Sequence, residues 1–146
     1  MKSKRGYWGI AIYHPKKEIN LGTTCRTAHI LGASFVAVIG KRFRPQNSDT
    51  LKSYRHMPYF EYDSFDAFLA HRPYNCPLVA IEMTPTAKSL KGFVHPERAV
   101  YLLGAEDHGI PEHILKQCQY VVKLDGERSL NVATAGSIVF YHRTSL

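Results

Sequence analysis

Three consecutive stretches decide the fold: Trp8-Gly9-Ile10-Ala11-Ile12-Tyr13, then Asn20 to Leu31, then Ala33-Ser34-Phe35-Val36-Ala37-Val38-Ile39. The first is a short apolar run rich in β-formers, bounded by Gly6 and by His14-Pro15, and it reads as a buried strand. In the second, Leu21, Cys25, Ala28 and Leu31 recur at helical spacing and Gly32 follows as a stop signal. The third is another apolar strand, ended by Gly40. A strand, a helix and a strand in this order form the unit from which parallel sheets are built.

Outward from that unit the alternation continues. Residues Lys41 to Pro58 are polar and basic and read as a long loop. Tyr59 to Tyr62 reads as a short strand, and Ser64 as the N-cap of a helix through Ala70, with Asp66 favourable in its first turn. Leu78 to Glu82 and Ala99 to Leu103 are further buried strands, and Pro111 opens a helix to about Cys118. Tyr120 to Leu124 is a last strand and Asn131 to Tyr141 a last helix. The pattern predicts an α/β protein with a mostly parallel sheet covered by helices on both faces. Ligands bind such sheets at the carboxyl ends of the strands, so the loops after Tyr13, Ile39, Glu82, Leu103 and Leu124 carry the functional information.

Composition narrows the class. With 146 residues, 45% hydrophobic and 21% charged, the sequence suits one soluble globular domain over residues 1–146. The basic start, Met1-Lys2-Ser3-Lys4-Arg5, is not followed by the apolar core of a signal peptide. Nor does any segment reach the roughly 18 to 20 apolar residues that span a bilayer. A cytoplasmic protein without membrane contact is the expectation. The formal charge of +7 points to a polyanionic partner, nucleic acid before an acidic membrane. Cys25, Cys76 and Cys118 are odd in number and widely spaced, as reduced, packed thiols are, and the scattered histidines give no metal-ligand spacing.

Three segments at strand-helix junctions carry chemistry. Asn20-Leu21-Gly22-Thr23-Thr24-Cys25-Arg26 places Asn20 at a helix start and Gly22 one turn before Arg26, whose guanidinium suits a phosphate in a bidentate fork. Leu103-Gly104-Ala105-Glu106-Asp107-His108-Gly109-Ile110-Pro111 sets an acidic turn between two glycines, fit to wrap a cofactor while Glu106 fixes geometry. Ser129-Leu130-Asn131-Val132-Ala133 crowds small residues at the start of the last helix, where Ser129 or Asn131 can serve as cap. Each segment alone is compatible with an ordinary capped helix or tight turn. Their order and joint placement are more specific than any one of them.

Together, Asn-x-Gly-x-x-x-Arg, Gly-x-Glu-x-x-Gly-Ile-Pro and Ser-Leu-Asn-Val-Ala resemble the three-motif signature of the SpoU (TrmH) branch of the SPOUT methyltransferases, over about Trp8 to Tyr141. The resemblance implies a homodimer with a deep C-terminal trefoil knot. It also implies transfer of a methyl group from S-adenosylmethionine to a ribose 2′-OH of RNA, tRNA before ribosomal RNA. It assigns catalysis to Asn20, Arg26, Glu106, Ser129 and Asn131. Cofactor contacts fall to Ile81, Glu82, Gly104, Leu124, Ser129 and Leu130. RNA would be gripped by Lys41, Arg42, Arg44 and Arg55, with Lys52, Lys2, Lys4 and Arg5 as further cations. No Gly-x-Gly-x-x-Gly is present, in keeping with a family that does not use that phosphate loop. The alternatives are a non-catalytic RNA-binding module of the same fold and, more closely, a base methyltransferase of the TrmD-like branch.

Overall fold

The computed structural model describes residues 6–43 and 57–145. Its first strand, β1 (Tyr7–Tyr13), buries Trp8 to Ile12 without a break. Continuous burial, rather than alternation, is what a strand covered on both faces requires. Next come α1 (Glu18–Ile30), β2 (Val36–Ile39), β3 (Tyr59–Tyr62), α2 (Phe65–His71), β4 (Leu78–Ile81) and β5 (Lys88–Ser89). The chain then runs through β6 (Arg98–Leu103), α3 (Glu112–Leu115), β7 (Tyr120–Lys123) and α4 (Val132–Thr144).

All seven strands join one sheet in the order β3-β2-β1-β6-β4-β7-β5, and every pairing is parallel. The first three strands build outward from β1. The chain then crosses to β4, and two late strands take interior places: β6 between β1 and β4, and β7 between β4 and β5. This return inward brings the carboxyl ends of β6, β4 and β7 side by side.

Alternate residues of the central strands supply two cores. Ile10, Ile12, Val36, Val38, Val79, Tyr101 and Leu103 pack with Leu21, Cys25 and Ala28 of α1 and with Val139 and Phe140 of α4. Ala11, Ala37, Ile39, Leu78, Ala80, Val100 and Leu102 pack with Phe65 and Phe68 of α2 and Ile114 of α3. Helices therefore cover both faces, as the sequence pattern predicts. The buried Cys25 and Cys76 and the partly buried Cys118 are free thiols. Burial pushes the Cys118 thiol up to about 11, the opposite of what a nucleophilic cysteine needs.

Several boundaries differ from the sequence reading, for local reasons. The helix expected from Asn20 begins at Glu18, because its first turn is capped from outside rather than by Asn20. The second strand, expected from Ala33, pairs regularly only from Val36; the Ala33 amide first closes the end of α1 by bonding the Ala28 carbonyl. The helix expected from Pro111 to about Cys118 is regular only over Glu112–Leu115, with Pro111 as its N-cap. Beyond it, the Gln117 and Cys118 amides reach back three residues, to the Ile114 and Leu115 carbonyls, tightening the coil. The two-residue edge strand β5 has no counterpart in the sequence reading. Ser64 does cap α2, its Oγ accepting the Ala67 amide at 3.1 Å.

Candidate active site

At the carboxyl ends of β4, β6 and β7 lies a cavity of about 480 Å³. Its walls include all six residues expected to hold a cofactor: Ile81, Glu82, Gly104, Leu124, Ser129 and Leu130. Ile81 and Leu103 come from strand ends, and Ala135 projects from the first turn of α4. The glycines of the Gly104–Pro111 loop have separate reasons to be glycine. A Cβ on Gly104 would stand 2.4 Å from the Gly109 carbonyl carbon, so the loop can close on itself only without one. Gly109 has φ +66°, and its amide and carbonyl pair with those of Ala105.

Closing this loop presents Glu106 to the start of α1. The N-cap position there is Lys17, which offers no acceptor side chain. Glu106 supplies the acceptors instead. Its Oε1 receives the Lys16 amide and its Oε2 the Lys17 amide, each at 3.0 Å. Oε2 also accepts Asn20 Nδ2 at 3.0 Å. Burial alone would raise the Glu106 carboxyl, but the donors from Asn20 and the backbone amides outweigh it and hold it below its ordinary value. Asn20 Oδ1 in turn lies 3.4 Å from Asn131 Nδ2, and Asn131 Oδ1 caps α4 through the Ala133 and Thr134 amides at 2.9 and 3.2 Å. One chain of hydrogen bonds thus joins the three sequence segments and sets the starts of α1 and α4 against each other. Of the two caps the sequence allowed for the last helix, Asn131 is the one used.

Arg26 stands apart from this chain. It follows Asn20 by six residues, roughly 9 Å along the helix axis. It is exposed, makes no hydrogen bond or ion pair among the described residues, and is absent from the cavity wall. Ile19, Thr23, Arg26 and Ile30 form one exposed stripe of α1, in which Ile19 and Ile30 are 66% and 73% exposed.

The expected RNA-gripping cations are partly engaged within the chain. Arg42 clasps Asp107 with both terminal nitrogens, at 2.7 and 3.2 Å, and its Nε donates to the His14 carbonyl. That fork holds the Asp107 carboxyl well below the usual carboxylate range. Lys41 Nζ donates to Glu61 at 2.8 Å. Arg44, Lys52, Arg55, Lys2, Lys4 and Arg5 lie outside the described residues. The sequence reading did not find the Arg42–Asp107 clasp or the role of the Lys16 and Lys17 amides. The missing capping residue at Lys17 was the available signal for the latter. Among the described residues no group of three or more His, Cys, Asp or Glu side chains could hold a metal ion.

The family pattern of the SpoU rRNA methylases matches residues 8–141. The chain belongs to that family. A tRNA (cytidine(34)-2′-O)-methyltransferase of Ancylobacter novellus is 30% identical over 139 residues, covering 89% of this chain and 87% of that protein. The tRNA (guanosine(18)-2′-O)-methyltransferase TARBP1 of Mus musculus is 26% identical over 138 residues, covering 88% of this chain; the chain spans only 9% of that relative's length. A solved structure concerned with the 2-OH methylation of C/U34 on tRNA superposes with a TM-score of 0.81 at 27% identity, covering 95% of each chain. The parallel sheet of this SpoU family member is therefore shared with that structure.

Proposed function

We propose that the chain is an S-adenosylmethionine-dependent RNA (ribose-2′-O)-methyltransferase acting on tRNA, working as one catalytic domain. The observation that carries this reading is the Glu106–Asn20–Asn131 chain, which ties the three motifs together beside the cavity. The cavity fits the cofactor: about 480 Å³ is ample for one small molecule, and walls from Ile81, Leu103 and Leu130 suit its apolar parts. S-adenosylmethionine supplies an electrophilic methyl group on a cationic sulfur. Ile81, Glu82, Gly104, Leu124, Ser129 and Leu130 hold it, and in this fold family the loops that do so are threaded as a trefoil knot.

The protein's own contribution is positioning. Glu106, Asn20 and Asn131 lock the helix starts that frame the substrate side, and Ser129 shapes that side from the cavity rim. Arg26 holds the phosphate next to the reacting ribose and orients the 2′-OH. A guanidinium stays protonated at neutral pH, so the 2′-OH proton leaves to phosphate or solvent rather than to Arg26. Orientation of this kind can lower a barrier by about 7 kcal/mol or more. Since Arg26 lies off the cavity of its own chain, it acts across a homodimer. The exposed stripe of α1 and the matching one on α4, where Ile138 and Tyr141 are exposed, support that assembly. Lys41, Arg42, Arg44 and Arg55 contact RNA phosphates, in the cytoplasm, Lys41 and Arg42 by exchanging their partners Glu61 and Asp107 for phosphate.

The test is radiolabelled methyl transfer from S-adenosylmethionine to total tRNA and, separately, to ribosomal RNA, followed by nucleoside analysis. A 2′-O-methylated nucleoside from tRNA is the expected product. One from ribosomal RNA alone moves the substrate, a methylated base replaces ribose chemistry, and no transfer with no cofactor binding leaves an RNA-binding module.

A further inference from the structure

Glu82 follows the last residue of β4, and its side chain forms part of the cavity wall. The carboxylate lies against Gly109, with Oε2 2.8 Å from where a Gly109 Cβ would stand. It is half-buried, and burial raises its pKa. No lysine, arginine or histidine of the described residues forms an ion pair with it. Of the other acids on the cavity wall, Glu106 is held by Asn20 and two amides, Asp107 by Arg42 and Asp125 by the Ser89 hydroxyl, while Glu127 is exposed to solvent. In a chain of formal charge +7, a half-buried carboxylate without a counter-charge is unexpected. Taking it from water is unfavourable unless a cation accompanies it.

We propose that Glu82 distinguishes the cationic methyl donor from the product left after transfer, favouring entry of the one and release of the other. This rests on reading the cavity as the methyl-donor site. In the donor the sulfur makes three bonds and carries a positive charge. When the methyl moves to the 2′-oxygen, the carbon–sulfur electron pair stays on sulfur, a neutral thioether remains, and the 2′-OH proton passes to phosphate or solvent. The rest of the molecule is unchanged, so the charge on sulfur is the difference a carboxylate can read. Partial enclosure weakens screening and makes that difference count.

The experiment is calorimetric titration of the wild-type chain and Glu82→Gln with S-adenosylmethionine, S-adenosylhomocysteine and sinefungin, which carries an ammonium group beside the position of the sulfonium. Glutamine keeps the shape while removing the charge. Glu82→Gln is expected to lose about tenfold in affinity for both cationic ligands and to stay within about twofold for the thioether. Equal losses for all three ligands, or no change, overturn the role of Glu82 while leaving the cavity reading intact. Wild-type protein that binds none of them overturns the cavity reading and this inference with it. Wild-type protein that binds sinefungin no more tightly than the thioether overturns the inference even if the variant fails to fold.

Discussion

Glu106 does two jobs with one carboxylate: it closes the start of α1 and it holds Asn20. Glu106→Gln keeps one acceptor and loses the charge that strengthens these bonds, so it should destabilise the protein by about 1 kcal/mol in denaturant titrations. The pH dependence follows from the depressed carboxyl. Its stabilising contribution is complete above the ordinary value of 4.5 and is lost as pH falls below that, through the lower folded value. Wild-type stability should therefore fall more steeply than that of the glutamine variant below that point. At Arg26, lysine keeps the charge and loses the planar fork. Arg26→Lys should lower kcat at least about tenfold with cofactor affinity unchanged, and near-normal turnover would rule out an orienting fork.

Among the elements, α4 is the one most tightly coupled to the cavity. Ala133, Gly136, Val139, Phe140 and Arg143 are its buried face, and a Cβ at Gly136 would already lie 3.1 Å from Leu103 Cδ1. Leu103 also lines the cavity, so crowding at Gly136 is transmitted to the wall. Gly136→Val should cost about 1–3 kcal/mol in stability and weaken cofactor binding, both readable from thermal melts with and without ligand. The same helix shows why its start was legible and its partner was not. Asn131 caps α4 from the adjacent position, a pattern of neighbouring residues. The cap of α1 comes from Glu106, some ninety residues away, and nothing near Lys17 in sequence names it.

On the scale of the molecule, four exposed apolar residues lie on the neighbouring helices α1 and α4. Ile19 and Ile30 bracket Arg26 on α1, and Ile138 and Tyr141 share a face of α4, which packs against α1. Exposed apolar residues flanking a guanidinium on two packed helices are suited to a second copy of the chain. Ile30→Lys combined with Ile138→Lys should convert a dimer to a monomer in sedimentation velocity. The same change should abolish methyl transfer while S-adenosylmethionine still binds. A wild-type monomer that is fully active would refute the placement of Arg26 across an interface. No described helix is long and apolar enough to cross a membrane.

The sequence by itself determined the alternation of strands and helices, the covering of both sheet faces and, among the five loops expected to carry function, the three after β4, β6 and β7 that form the cavity. All of these rest on local periodicity and on glycine, proline and capping residues, whose effects reach only a few positions along the chain. The three motifs were legible for the same reason, each being a short run at one strand-helix junction. Tertiary structure alone decided that β6 and β7 enter the interior of the sheet, because strand order depends on which apolar faces can be buried together. It also decided that Glu106 caps α1, that Arg42 is clasped by Asp107, and that Arg26 lies off the cavity. Those facts are contacts between residues far apart in sequence, and their distances are set by the packed sheet rather than by any local preference.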